Sequence, residues 1–176
     1  MAVPGEPLSV AVFAALINSL HAEAVEIFDP HSDVTPALLD RCRVVTQADV
    51  FWPLFEGKTG FYLVAPDAGA LKKVWQLAAR TKPLCVIECS KRRAVQTGEL
   101  TGFALRRPEP WVHGMPCYLV DDICDGGGTF VELAKLLKAQ GVSEITLLVT
   151  HGFFTKGLSV FDGLIDHIVT RKGTVK

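Results

Sequence analysis

The sequence predicts an α/β fold with a mainly parallel sheet flanked by helices. Two observations carry that expectation. The short apolar runs Phe61 to Ala65, Leu84 to Ile87 and Cys117 to Val120 lack polar alternation, as strands covered on both faces do. The first and third of these lead through glycine-containing turns into segments with apolar residues at helical spacing, which is the strand–turn–helix alternation of a parallel sheet.

Taken in order, the chain opens with a helix bearing Val10, Phe13, Ala14, Ile17 and Leu20 on one face. Val25 to Phe28 makes a strand, and Thr35 with Pro36 marks a second helix start. A further strand and a connector around Val50 to Gly57 follow. Phe61 to Ala65 is the next strand, Pro66 to Gly69 the turn, and Leu71, Val74, Trp75 and Ala78 the inward face of a helix. After Leu84 to Ile87 the stretch from Cys89 to Gly102 is polar and turn-rich, and reads as a loop. Behind Cys117 to Val120 comes a helix with Phe130, Leu133, Ala134 and Leu137 inward, Lys135 and Lys138 off that face, and Gly141 as its stop. A strand–helix–strand order closes the chain. The expected division is a small segment, 1–50, and a main domain, 51–176.

Composition narrows the function classes. With 49% hydrophobic and 21% charged residues, 176 residues can bury one substantial core. A net charge of −1 argues against a surface for nucleic acid. No apolar run approaches the roughly 20 residues that span a bilayer, and the N-terminus does not read as a signal peptide, so no membrane partner is expected. Five cysteines, an odd number, speak against a disulfide framework and for a reducing, cytoplasmic compartment. Cys85 and Cys89 read as buried thiols rather than zinc ligands, whereas Cys124, close to helix N–H groups, is expected to be exposed with a lowered pKa.

The chemistry concentrates in Cys117 to Thr129, CYLVDDICDGGGT. A buried strand delivers Asp121 and Asp122 to the crevice where open α/β sheets bind ligands. Gly126, Gly127 and Gly128 let main-chain N–H groups approach an anion, and Thr129 adds a hydroxyl at the start of a helix. Carboxylates beside such a nest repel phosphate, so Asp121 and Asp122 suit sugar hydroxyls or a divalent cation. The order describes a site for a phosphorylated sugar. A second strand–loop–helix unit at Asp67, Ala68 and Gly69 again presents backbone N–H groups at a helix N-terminus. Asp29, His31 and Asp33 alternate, so an extended segment would place all of them on one side, an oxygen-rich setting that suits magnesium.

The string VDDICDGGGT resembles the phosphoribosyl pyrophosphate (PRPP) motif of type I phosphoribosyltransferases. DPHSD at Asp29 to Asp33, APDAG at Ala65 to Gly69, KRR at Lys91 to Arg93 and THGFF at Thr150 to Phe154 narrow the resemblance to ribose-phosphate diphosphokinases, over roughly Pro4 to Thr170. It implies a type I phosphoribosyltransferase-like fold, Mg2+ as cofactor, and ribose 5-phosphate, PRPP and ATP as small-molecule partners; a homo-oligomer is expected because the apolar face of the first helix needs cover. Residue by residue, it implies that Asp125 to Thr129 hold the 5-phosphate, and that Asp121 and Asp122 hold the ribose hydroxyls. Asp67, Ala68 and Gly69 would hold the diphosphoryl group. His31 and Asp67 would contact metal, and Lys91 and Arg93, with Asp125, would be catalytic. The reaction implied is transfer of diphosphate from ATP to the C1 hydroxyl of ribose 5-phosphate, giving PRPP and AMP. Family members contain two related α/β domains. Segment 1–50 is expected to be a remnant of the first, without a counterpart of the upstream aromatic and basic run that helps bind ATP.

Two other readings use the same loops. A phosphoribosyltransferase would join PRPP to a nucleobase and needs a hood over the acceptor, which the sequence does not display. A non-catalytic binding subunit would not need Lys91, Arg93, His31 and Asp67 together.

Overall fold

The computed structural model describes residues 8–93, 100–106 and 113–176. The chain divides into two compact units, Met1–Thr46 and Gln47–Lys176.

In the first unit, helix α1 (Ser9–Asn18) precedes strand β1 (Val25–Phe28), helix α2 (Val34–Leu38) and strand β2 (Cys42–Val45). β1 and β2 pair in parallel with Val25 opposite Cys42. Only Ala14 of α1 is buried. Phe13 is 68% exposed and Leu20, beyond the helix end, 74%, so the expected inward stripe is open within this unit. DPHSD is not extended. Asp29 takes a left-handed φ of 42° and is buried, and Asp33 already occupies the N-cap of α2. The turn puts His31 and Asp33 at exposed positions, so the expected one-sided row of Asp29, His31 and Asp33 does not form.

The second unit begins with the short helix α3 (Gln47–Phe51) and a 3-10 turn, Trp52–Phe55. Strand β3 (Tyr62–Ala65) then leads into helix α4 (Ala68–Thr81) and strand β4 (Cys85–Arg93). Next come β5 (Leu100–Arg106), β6 (Cys117–Cys124), α5 (Gly128–Ala139), β7 (Ile145–Gly152), β8 (His167–Thr170) and β9 (Gly173–Thr174). The sheet order is β5-β4-β3-β6-β7-β8-β9, with β4, β3, β6, β7 and β8 mutually parallel and the outer pairs antiparallel. From β3 the chain crosses to β4 on one side and later returns to β6 on the other. Ligand crevices in open α/β sheets lie at such a reversal, outside the strands' C-terminal ends.

The missing alternation in the strands has a plain cause. Tyr62, Val64 and Leu119 face a core closed by Phe130, Leu133 and Leu137 of α5. Leu63, Ala65 and Val120 face the other, closed by Val74, Leu77 and Ala78 of α4. Each central strand is thus apolar on both sides. The inward face of α4 is Ala70, Val74, Leu77 and Ala78, while Trp75 is 51% exposed. Of the stretch expected as a basic loop, residues 89–93 lie on β4 and residues 100–102 on β5, paired antiparallel, while residues 94–99 lie outside the described residues. β4 runs to Arg93, with Lys91 opposite Phe103 and Arg93 opposite Leu100, because β5 supplies backbone partners that local composition cannot reveal.

Candidate functional site

The glycine loop is shaped by both backbone and packing. Gly127 is the N-cap of α5 with φ 77°, and a Cβ there would collide with the ring of Phe161. Phe154 packs edge-on against that ring, centroids 6.2 Å apart. No side chain caps α5, which leaves the amides of its first turn for an anion.

The start of α4 is built differently. Asp67 is its N-cap, and Oδ1 accepts the amides of Gly69 at 2.9 Å and Ala70 at 3.2 Å. Of the expected anion cradle at Ala68 and Gly69, the Gly69 amide is thus taken by the loop's own aspartate, and a phosphate using that N–H would have to displace the carboxylate.

The acid pair is split by the strand. β6 continues through both residues, with Asp121 opposite Val149 of β7, so adjacent side chains project to opposite faces. Asp122 is 7% exposed and forms an ion pair with Lys73 of α4 at 2.8 Å. The Asp121 carboxylate accepts the Asp122 amide at 2.9 Å. Burial pushes its pKa up to about 7; the nearby charges of Asp122 and Asp67 add to the rise, against the backbone hydrogen bond and Lys73.

A cavity of about 360 Å³ lies between these loops. It brings Asp67 together with Asp121, Asp125, Gly126, Gly127, Gly128 and Thr129. Asp122, Ala68 and Gly69 are absent from its lining. His31 belongs to the other unit, and the side chains of Lys91 and Arg93 lie outside the described residues. Ile123 and Lys156, outside the expected site residues, also line it. A lysine just past the end of an apolar strand that follows the glycine loop was the signal for the second.

Cys124 corrects another expectation. It is fully buried, and desolvation, with the charges of Asp121 and Asp125 second, pushes its thiol up to about 12, opposite to the lowering expected beside a helix N-terminus. Among the described residues no group of three or more His, Cys, Asp or Glu is arranged to hold a metal by itself. The carboxylates of Asp67, Asp121 and Asp125 on one cavity nevertheless suit magnesium, which takes one or two carboxylates and completes its shell with water and substrate phosphate.

Residues 55–159 match the model of the phosphoribosyl transferase domain, and the chain belongs to that family. Among its relatives, the ribose-phosphate pyrophosphokinase of Thermococcus kodakarensis is 36% identical over 156 residues, 87% of this chain and 53% of that protein. The phosphoribosylpyrophosphate synthetase of Mycobacterium smegmatis shares the fold with a TM-score of 0.77 at 19% identity, over 94% of this chain and 54% of that one. The adenine phosphoribosyltransferase of Thermoanaerobacter pseudethanolicus gives a TM-score of 0.52 at 23% identity, over 70% and 76% of the two chains. The chain spans about half the length of the curated relatives it matches, 46% and 53% for two of them. Among the described residues no helix is long and apolar enough to cross a membrane.

Proposed function

We propose that this chain is a ribose-phosphate diphosphokinase-like transferase that binds ribose 5-phosphate and PRPP with Mg2+. Diphosphate would pass from ATP to the C1 hydroxyl of ribose 5-phosphate. One observation carries the reading: at the sheet's reversal the uncapped N-terminus of α5, its glycine loop and the carboxylates of Asp121 and Asp67 share one cavity. Hydrogen bonds to charged groups contribute about 1.5–3 kcal/mol each, against about 0.3–1 kcal/mol for a helix dipole. The amides of Gly127 to Thr129 therefore supply most of the phosphate grip. Asp121, on the cavity side of β6, is assigned the ribose hydroxyls; Asp122, paired with Lys73, is assigned to holding α4 against β6. Asp67 and Asp121 are the residues that would hold magnesium, which neutralises phosphate charge when bound. Lys91 and Arg93 keep their proposed action on the transferring group, and no protein nucleophile is required because the sugar hydroxyl attacks directly. We further propose a cytoplasmic homo-oligomer, consistent with the exposed Leu8, Phe13 and Leu16 in the first unit.

Phosphorus NMR of the chain with magnesium, ATP and ribose 5-phosphate tests the reading, followed by PRPP with a mixture of nucleobases. Formation of PRPP and AMP supports it. Consumption of PRPP only in the second sample reassigns the chain as a base-specific phosphoribosyltransferase, and silence in both points to a piece of a longer enzyme or to a binding subunit.

A further inference from the structure

Beyond β7 the chain is stitched to the start of the glycine loop. The amides of Phe153 and Phe154 donate to the Cys124 carbonyl at 2.8 and 3.3 Å, and the Thr155 amide to that of Asp125 at 3.2 Å. The Thr155 hydroxyl donates to Asp125 Oδ1 at 2.8 Å, and the Gly157 amide closes a turn onto Phe154 at 2.8 Å. Position 156 is therefore held beside the loop by bonds on either side of it. The Lys156 stem lies along the bare α-carbon of Gly126: a Cβ there would sit 3.3 Å from Cε and 3.4 Å from Cδ.

The electrostatics of the cavity give that lysine a task. Asp67, Asp121 and Asp125 all line it, and Lys156 is the cation among its described lining residues. With magnesium assigned to Asp67 and Asp121, Asp125 at the glycine loop is still a carboxylate beside the phosphate, and its repulsion is strong where water is displaced. We propose that the Lys156 ammonium contacts the phosphate on the sugar's 5-carbon, and so selects phosphorylated over unphosphorylated pentose. The assignment rests on the sugar-phosphate reading of this cavity.

The test is calorimetric titration of the full chain with ribose 5-phosphate in magnesium buffer, at several salt concentrations, for wild type, Lys156→Met and Lys156→Arg. Methionine keeps the apolar stem and removes the charge. The expected result is a loss of about tenfold or more in affinity for Lys156→Met, a shallower salt dependence, and recovery of most of the affinity in Lys156→Arg. Thermal melting without ligand is expected to be unchanged, because Lys156 is exposed. Wild-type binding with an unaltered affinity and salt slope in Lys156→Met overturns the lysine assignment and leaves the cavity reading standing. Failure of the wild type to bind ribose 5-phosphate overturns both.

Discussion

Asp121 is a carboxyl that burial moves well out of the ordinary carboxylate range. Its carboxyl, raised to about 7 by burial first, is partly protonated near neutral pH in the free chain. A cation or sugar hydroxyl that prefers the carboxylate must displace that proton. Magnesium binding measured at pH 6.5 in buffers of different ionisation enthalpy is expected to release protons, with apparent affinity rising up to about pH 7 and then levelling. Asp121→Asn abolishes the release. Because the folded chain holds the proton more tightly than the unfolded one, this group's contribution to stability is full below the ordinary carboxylate range. It is lost as pH rises through about 7, so Asp121→Asn is expected to raise the melting temperature of the ligand-free chain at pH 8 relative to wild type. Gly127 is constrained differently. Gly127→Ala meets a left-handed φ of 77° and the Phe161 ring, and is expected to cost about 1–3 kcal/mol in denaturant unfolding together with ribose 5-phosphate affinity.

Between elements, the Lys73–Asp122 pair joins α4 to β6 behind the cavity, with side chains only 20% and 10% exposed. Removing one partner of such a pair leaves the other charge desolvated. Lys73→Met is therefore expected to destabilise the fold by on the order of 3 kcal/mol, read from chemical unfolding. The same helix shows what periodicity can and cannot tell. Leu71, Val74, Trp75 and Ala78 is a self-consistent helical face, and Val74 and Ala78 are indeed buried. The true stripe is rotated toward Ala70 and Leu77, because it must meet Leu63, Ala65 and Val120 on the sheet. Leu77→Ala is expected to cost about 2–5 kcal/mol and the exposed Trp75→Ala less than about 0.5 kcal/mol in the same unfolding assay. For α5 no such ambiguity arose. Phe130, Leu133, Ala134 and Leu137 are the apolar positions that pack on the core, and the helix ends before Gly141, whose φ is 80°.

For the whole molecule, both apolar cores are drawn from residues after Thr46, whereas the first unit buries Ala14, Asp29 and Leu39 among its described residues. A fragment of residues 47–176 is expected to melt cooperatively with dispersed amide NMR signals. A fragment of residues 1–46 is expected to lack a cooperative transition, since a unit of that size buries too little apolar area to offset its conformational entropy. An uncooperative melt of residues 47–176 would show that the core of the second unit is not sufficient.

The α/β class, the strand–loop–helix units after β3 and β6, and the glycine loop are legible in the amino-acid sequence alone. These depend on local apolar runs, on helical spacing and on backbone angles that glycine tolerates. Long-range packing settles that β4 runs on to Arg93 against β5, that DPHSD turns rather than extends, and that Asp122 pairs with Lys73 while Asp121 faces the cavity. It also decided that Cys124 is buried and that Lys156 joins a loop some 30 residues earlier. Each of those outcomes depends on a partner distant along the chain, and neither composition nor period carries the identity of that partner.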